Sequence, residues 1–372
     1  MKKSFLIRAF CMIMVMITVL VILPVNAVAT LTPSTSGNGG IIVDWEELFG
    51  PTPSAGLSYT LKSNNTYELS SKGSCTDTRI VIPEFYKEKA VTSIAASVFQ
   101  YNDEITEVIF PKTLTTIGTS AFMNCTALTT LTFANGLTTI GAKAFSGCTA
   151  LATVTLPKTV SSIDATAFMS CTGLRELTVD YANPIYSSQD NCVIEIATNK
   201  LVLGCKTSVI PETVTVIGNS AFYGCTGLTE ITIPDAVTTI EASAFRGCTA
   251  LETINIGIGL TTVGNTAFAA ATAVTDVYYS GRASQWAKIT FGNGNTTLTD
   301  ATIHCAVKLG DLNDDGTINL ADLTLLTRHL ADWTDYAEIN EDAADINEDG
   351  QVSLADLTYL TRALAGWEGY EL

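Results

Sequence analysis

The chain has 372 residues, 47% of them hydrophobic and 15% charged, with a formal net charge of −17. That length accommodates two or three domains with a sizeable core. The negative charge argues against nucleic acid or an anionic membrane surface as a partner, because both would repel it.

Residues 1–29 read as an export signal. Lys2, Lys3 and Arg8 precede an apolar run from Phe10 to Leu23, Pro24 ends the run, and Ala27-Val28-Ala29 offers a small-x-small cleavage site. The alternative is an N-terminal anchor. The run is shorter than the ~20 residues a spanning helix needs, and no later run approaches that length, so no membrane span is expected after cleavage and the product is expected outside the cell. Residues 30–56 follow as a Thr/Ser/Gly/Pro-rich linker around an apolar-acidic patch, Ile41 to Phe49.

The middle of the chain is repetitive. Phe122, Phe145 and Phe168 lie 23 residues apart, as do Phe222, Phe245 and Phe268, and Phe99 marks a degenerate earlier unit. Each unit begins with a short alternating segment, such as Leu131-Thr132-Phe133 or Ile231-Thr232-Ile233, which suits a brief strand. A Pro or Gly turn leads to a second stretch ending at Ile117, Ile140, Ile163, Ile217 or Ile240. A run of small residues closing on Ala-Phe then brings the chain back. One unit cannot bury its Phe, Ile and Leu alone, and stacking gives each a neighbour; a buried Phe contributes about 1.5–3 kcal/mol. Between Cys171 and Cys225 the period stretches to 54 residues, and this insertion is expected to form hairpin strands near Val193–Ile196 and Lys200–Leu203.

Cys125, Cys148, Cys171, Cys225 and Cys248 each follow a repeat Phe by three residues, so they are expected as small buried side chains in a ladder. Cys75, Cys192, Cys205 and Cys305 fall outside the pattern, and a Cys192–Cys205 bridge stays open. Neither CxxC nor Cys/His pairs of a zinc site occur.

The units, with their recurring [IV]-[GE]-x-[STK]-A-F-x-x-C-[TS]-x-[LV] core, resemble the BspA-like leucine-rich repeat family over roughly residues 57–305. The resemblance implies a solenoid of short β-strands with irregular or short helical returns, closed by terminal units, and a binding or adhesive scaffold with no shared catalytic residues.

From Gly310 a second repeat begins. Gly310–Trp333 and Ala344–Trp367 are identical at 15 of 24 positions, and each opens D-x-N-x-D-G and places Asp at the twelfth loop position. Ca²⁺ takes six to eight oxygens, which an EF-type loop draws from positions 1, 3, 5, 7, 9 and 12. These are Asp311, Asn313, Asp315, Thr317 through its carbonyl, Asn319 and Asp322, then Asp345, Asn347, Asp349, Gln351 through its carbonyl, Ser353 and Asp356. Gly316 and Gly350 suit the sharp turn at position 6. Ile318 and Val352 at position 8 are expected to pair across the loops. Leu323, Leu326, Leu330, Leu357, Leu360 and Leu364 form the apolar faces of two following helices.

This pair resembles a type I dockerin over residues 306–372: a small all-α module of two loop-helix motifs, with Asp rather than Glu at position 12 and no entering helices. The resemblance implies two Ca²⁺ ions and a cohesin module of a cellulosomal scaffolding protein as partner. By the same resemblance, cohesin contacts fall on Leu320, Ala321, Thr327 and Arg328, and on Leu354, Ala355, Thr361 and Arg362. The likeness of the halves points to two docking orientations related by about 180°.

Enzyme signatures are missing. His304 and His329 are the two histidines, and HExxH, GxSxG and GxxxxGK[ST] are absent. No segment outside the repeats is long enough for a catalytic domain. The expected product is a non-catalytic extracellular component that docks on a scaffold and presents its repeats to a protein or polysaccharide. The alternatives are an adhesin, or an enzyme or inhibitor on a repeat scaffold. Tyr278, Tyr279 and Trp286 are candidate sugar platforms, with packing of the terminal unit as the competing role.

Overall fold

The computed structural model describes residues 34–35, 41–42 and 51–372, except 314, 334–338 and 371. The expected export signal and most of the expected linker lie outside the described residues. Two compact units divide at residue 52. In the first, Ser34–Thr35 pairs antiparallel with Ile41–Ile42.

In the second unit each repeat contributes two short strands to two parallel rows. One row stacks Thr116–Ile117, Thr139–Ile140 and Ser162–Ile163. The other pairs Arg79–Val81, Glu107–Ile109 and Thr130–Thr132, and further on Thr153–Leu156 with Glu176–Val179. The pattern resumes after the insertion with Val216–Ile217, Thr239–Ile240 and Thr262–Val263 in one row, and with Glu230–Ile233, Thr253–Ile256, Asp276–Arg282 and Thr302–Val307 in the other. Returns between strands are turns, and the exceptions are two four-residue helices in the closing unit, α1 (Ala283–Trp286) and α2 (Thr296–Thr299).

The repeat's residue choices follow from this stacking. Phe99, Phe122, Phe145 and Phe168 stack with ring centroids 5.1, 5.3 and 5.3 Å apart, and Phe222, Phe245 and Phe268 with 4.9 Å between neighbours. The paired threonines close the row edge: Thr138 Oγ1 donates to the Thr115 carbonyl and Thr261 Oγ1 to that of Thr238. Each Cys of the ladder donates to the Phe carbonyl of the preceding turn, as Cys125 to Phe99, Cys148 to Phe122, Cys171 to Phe145 and Cys248 to Phe222, all at 3.2 Å. Burial pushes the Cys125, Cys171 and Cys248 thiols up to about 12, which leaves them inert. Cys225 departs from the expectation, being only half-buried. The turn before it is the insertion, which has no ladder Phe whose carbonyl could receive it.

The insertion is a three-stranded antiparallel meander, Tyr186–Gln189, Cys192–Glu195 and Lys200–Leu203. Its middle strand starts one residue earlier than expected. Lys200–Leu203 then pairs parallel with Val216–Ile217 and so rejoins the row. Gly204 lies against Phe222: a Cβ there would come within 2.1 Å of the ring, so only glycine lets the ladder restart. Cys192 and Cys205 are free thiols, as are all described cysteines. Cys192 instead donates to the Val209 carbonyl at 3.4 Å.

The solenoid's last strand ends at Val307, four residues before Asp311. The C-terminal module has two eleven-residue helices, α3 (Leu320–Leu330) and α5 (Leu354–Leu364), and a single-turn helix α4 (Glu341–Ala344) that enters the second loop. The resemblance implies no entering helix, and one turn is all that forms. Leu312, Leu326, Ala344, Ile346 and Leu360 make its buried core, with Leu323, Leu330, Leu357, Leu364, Ile318 and Val352 packed at the edge. The starts of the halves are tied together: the Gly310 amide donates to the Ala343 carbonyl, and the Asn340 amide to that of Leu312, both at 2.9 Å.

Candidate calcium loops and docking faces

The two loops are built by the same hydrogen bonds. In the first, Asp311 accepts the amides of Asp315 (3.1 Å) and Gly316 (2.8 Å), Asn313 accepts that of Asp315 (3.1 Å), and Asp315 accepts that of Thr317 (2.8 Å). In the second, Asp345 accepts the amides of Asp349 (3.1 Å) and Gly350 (3.2 Å), and Asp349 that of Gln351 (3.0 Å). Gly316 and Gly350 have φ of +82° and +88°, and a Cβ on either would meet nothing within 4 Å. Backbone angle, not space, requires glycine there.

The ninth and twelfth loop residues serve the helix as well. Asn319 is the N-cap of α3, accepting the Ala321 amide, while Asp322 in the first turn accepts the Asn319 amide at 2.9 Å. Ser353 and Asp356 repeat the arrangement at α5. A carboxylate in the first turn is favoured by the helix dipole, and the capping residues satisfy otherwise orphaned amides.

The residues fit a calcium ion. Asp322 and Asp356 are fully buried and Asp311 nearly so, yet among the described residues no Lys, Arg or His pairs with Asp322 or Asp356. Buried carboxylates without a counter-charge are costly. The expected donor set is entirely oxygen, which suits a hard cation of variable coordination rather than zinc. Among the described residues, no group of three His, Cys, Asp or Glu meets metal-holding geometry. The first loop mixes carboxylates with amide and carbonyl oxygens, and the second adds the Ser353 hydroxyl.

The expected cohesin contacts are on the surface. Leu320 and Leu354 are 70% and 71% exposed; Ala321, Thr327, Ala355 and Thr361 are also exposed, and Arg328 and Arg362 half-buried. Two residues not anticipated join them. Trp333 and Trp367 are 57% and 58% exposed, each holding the Arg of its own half over its ring, at 5.7 Å for Arg328 and 5.3 Å for Arg362. Their amides bond to the Arg328 and Arg362 carbonyls, completing matched helix ends. The repetition of Ala-x-Trp at the end of each half was the signal for them.

The sugar-platform candidates separate. Tyr279 is buried and Trp286 packs against the core, so packing of the closing unit explains both. Tyr278 is exposed and stacks on His304 at 4.8 Å.

A BspA type leucine rich repeat region model matches residues 92–206 and 194–311 in six copies. The chain belongs to the BspA-type leucine-rich repeat family. A type I dockerin domain model matches residues 309–365. No curated protein matches the chain. Similar solved structures include the pneumococcal vaccine antigen PcpA, with 19% identity over 64% of this chain and 65% of that one, TM-score 0.49. The chain thus spans just under two thirds of that antigen. A leucine-rich repeat protein from Bacteroides ovatus matches with 20% identity over 68% of this chain and 70% of that one, TM-score 0.43.

The protein is therefore a leucine-rich repeat solenoid followed by a dockerin domain. A dockerin domain implies calcium binding and a cohesin partner, and repeats of this family suggest binding. Both domain types are typically non-catalytic. Among the described residues, no helix is long and apolar enough to cross a membrane.

Proposed function

We propose that the protein is a non-catalytic extracellular component that docks onto a cohesin of a cellulosomal scaffolding protein and presents its solenoid to a protein or polysaccharide. In this reading residues 1–29 are a cleaved signal, 30–56 a linker, 57–305 the solenoid and 306–372 the dockerin. One Ca²⁺ is held by Asp311, Asn313, Asp315, the Thr317 carbonyl, Asn319 and Asp322. A second is held by Asp345, Asn347, Asp349, the Gln351 carbonyl, Ser353 and Asp356. Each ion would supply positive charge that holds its loop's oxygens together and fixes the start of the following helix.

The observation that carries the docking reading is the matched pair of exposed faces, Leu320-Arg328-Trp333 and Leu354-Arg362-Trp367. Large apolar side chains left in water on a small domain, each with a half-buried Arg beside it, are what an interface uses as anchors. Leu320, Ala321, Thr327 and Arg328 on one face, and Leu354, Ala355, Thr361 and Arg362 on the other, are the proposed contacts. Calorimetric titration of a panel of type I cohesins into the mature chain, with Ca²⁺ and then with excess EDTA, tests this. Binding of a cohesin that EDTA abolishes is the expected result. Calcium-loaded protein that binds none of the panel would overturn the docking reading.

A further inference from the structure

The two calcium loops offer the same carboxylates, differing in side-chain donors at position 9 (Asn319 against Ser353), but they have unequal neighbours. Each contributes three carboxylates at the same positions, Asp311, Asp315 and Asp322 against Asp345, Asp349 and Asp356, so ligand charge gives no reason for different affinities. Beside the first, Lys308 Nζ donates to the Gly316 carbonyl at 3.0 Å from an exposed position. Against the second lies the end of the solenoid. Arg282, the last residue of strand Asp276–Arg282, places one guanidinium nitrogen 3.5 Å from Asp345 Oδ2 and another 3.4 Å from Asp342 Oδ1. Ser284, in α1, donates its hydroxyl to Glu348.

The Arg282–Asp345 contact is shielded, the two side chains being 14% and 12% exposed. Solvent therefore screens this pair less than an ordinary surface ion pair. Arg keeps its charge at every accessible pH. Asp345 Oδ2 already accepts the Gly350 amide, so the guanidinium takes up lone-pair capacity at the oxygens that a calcium ligand at position 1 must offer. Its positive charge also opposes a divalent cation.

We propose that Arg282 competes with Ca²⁺ for the second loop, making it the weaker of the two sites in the intact chain and coupling its filling to release of the solenoid's end from the dockerin. The inference rests on the calcium reading above. With the second loop filled, Asp345 would give its oxygens to the cation and so loosen its hold on Arg282. Reciprocally, a solenoid end held on the dockerin lowers calcium affinity by the same factor.

Calcium titration of the intact mature chain, wild type beside Arg282→Gln, tests it. The wild type is expected to show a tight and a weak site, and Arg282→Gln to tighten the weak one about tenfold, roughly 1.4 kcal/mol, with the other unchanged. Arg282→Lys, which keeps the charge, is expected to leave the weak site weak. Asp345→Asn is expected to remove the weak site and Asp311→Asn the tight one. In the wild type, amide exchange of residues 280–284 should accelerate as the weak site fills. Arg282→Gln with both affinities unchanged, or a tightened site that maps to Asp311, would overturn the inference. If neither the wild type nor Arg282→Gln binds calcium, the calcium reading fails and takes this one with it.

Discussion

If the two halves of the dockerin are interchangeable anchors, removing one anchor should be nearly silent. Leu320 and Leu354 are the residues to change, because both are largely exposed and stand at the first turn of their helices. An Asp there sits well with the helix dipole, so Leu320→Asp and Leu354→Asp should fold. Each would nevertheless place a carboxylate in the partner's apolar contact. With two equivalent orientations the observed association constant is the sum of two equal terms. Deleting one orientation halves it, a loss of RT ln 2, about 0.4 kcal/mol. Deleting both removes a buried leucine from whichever orientation is left, about 2 kcal/mol or more, hence at least about 30-fold. Calorimetry of the mature chain against a cognate cohesin at saturating Ca²⁺ reads all four variants, the wild type included. A single substitution as damaging as the pair would refute the equivalence and leave one half as the sole docking face.

Other consequences are open to direct measurement. Phe145 is stacked on both sides, and Phe99 on one. Phe145→Leu should therefore cost about 1 kcal/mol more than Phe99→Leu in urea unfolding at unchanged m value; equal costs would show that burial alone counts. Burial pushes the Cys125, Cys171, Cys192 and Cys248 thiols from an ordinary value near 9 up to about 12. The folded chain thus keeps protons that the unfolded chain releases above pH 9, so stability falls as pH rises from 9 towards 12. The loss is about 1.4 kcal/mol per thiol by pH 10, and thermal melting from pH 8 to 10.5 should show a slope that shallows when Cys125 and Cys248 are both changed to Ala. Asp332 holds φ at +56° at the end of α3, where Gly366 holds +70° at the end of α5. Asp332→Gly should stabilise the dockerin by about 0.5–1 kcal/mol and Gly366→Asp destabilise it, as read from its calcium-saturated melting temperature.

What was legible in the sequence was whatever recurs. The Phe, Cys and Ile positions announce a stack because each must meet its own copy one turn away, and a 23-residue period states that contact directly. The loop residues announce themselves in the same way, since an oxygen-lined site fixes both residue type and spacing over twelve positions. Cys225 packs against the core but is less buried than the rest of the ladder, because its surroundings depend on the turn before it, and there the period breaks. Tyr279 and Trp286 were ambiguous for a related reason: the closing unit has no successor, so nothing in its pattern says which aromatic faces inward. Trp333 and Trp367 recur and could have been read, but lying beyond the twelve-residue loops they carry no spacing rule of their own.

Arg282 belongs to a third kind. Its partners, Asp342 and Asp345, lie 60 and 63 residues away in another domain, and neither repeat contains the pair. No period, motif or composition links a residue at the end of one repeat array to the first position of the second loop of another. The contact arises because a last strand ending at Val307 leaves only three residues, Lys308 to Gly310, before the first loop, so the dockerin begins close to the solenoid's end. Joining two repetitive modules this tightly breaks the symmetry of the second one. On the proposal above, two loops that are nearly equivalent as sequence are unequal as sites, and a residue outside the dockerin sets the difference.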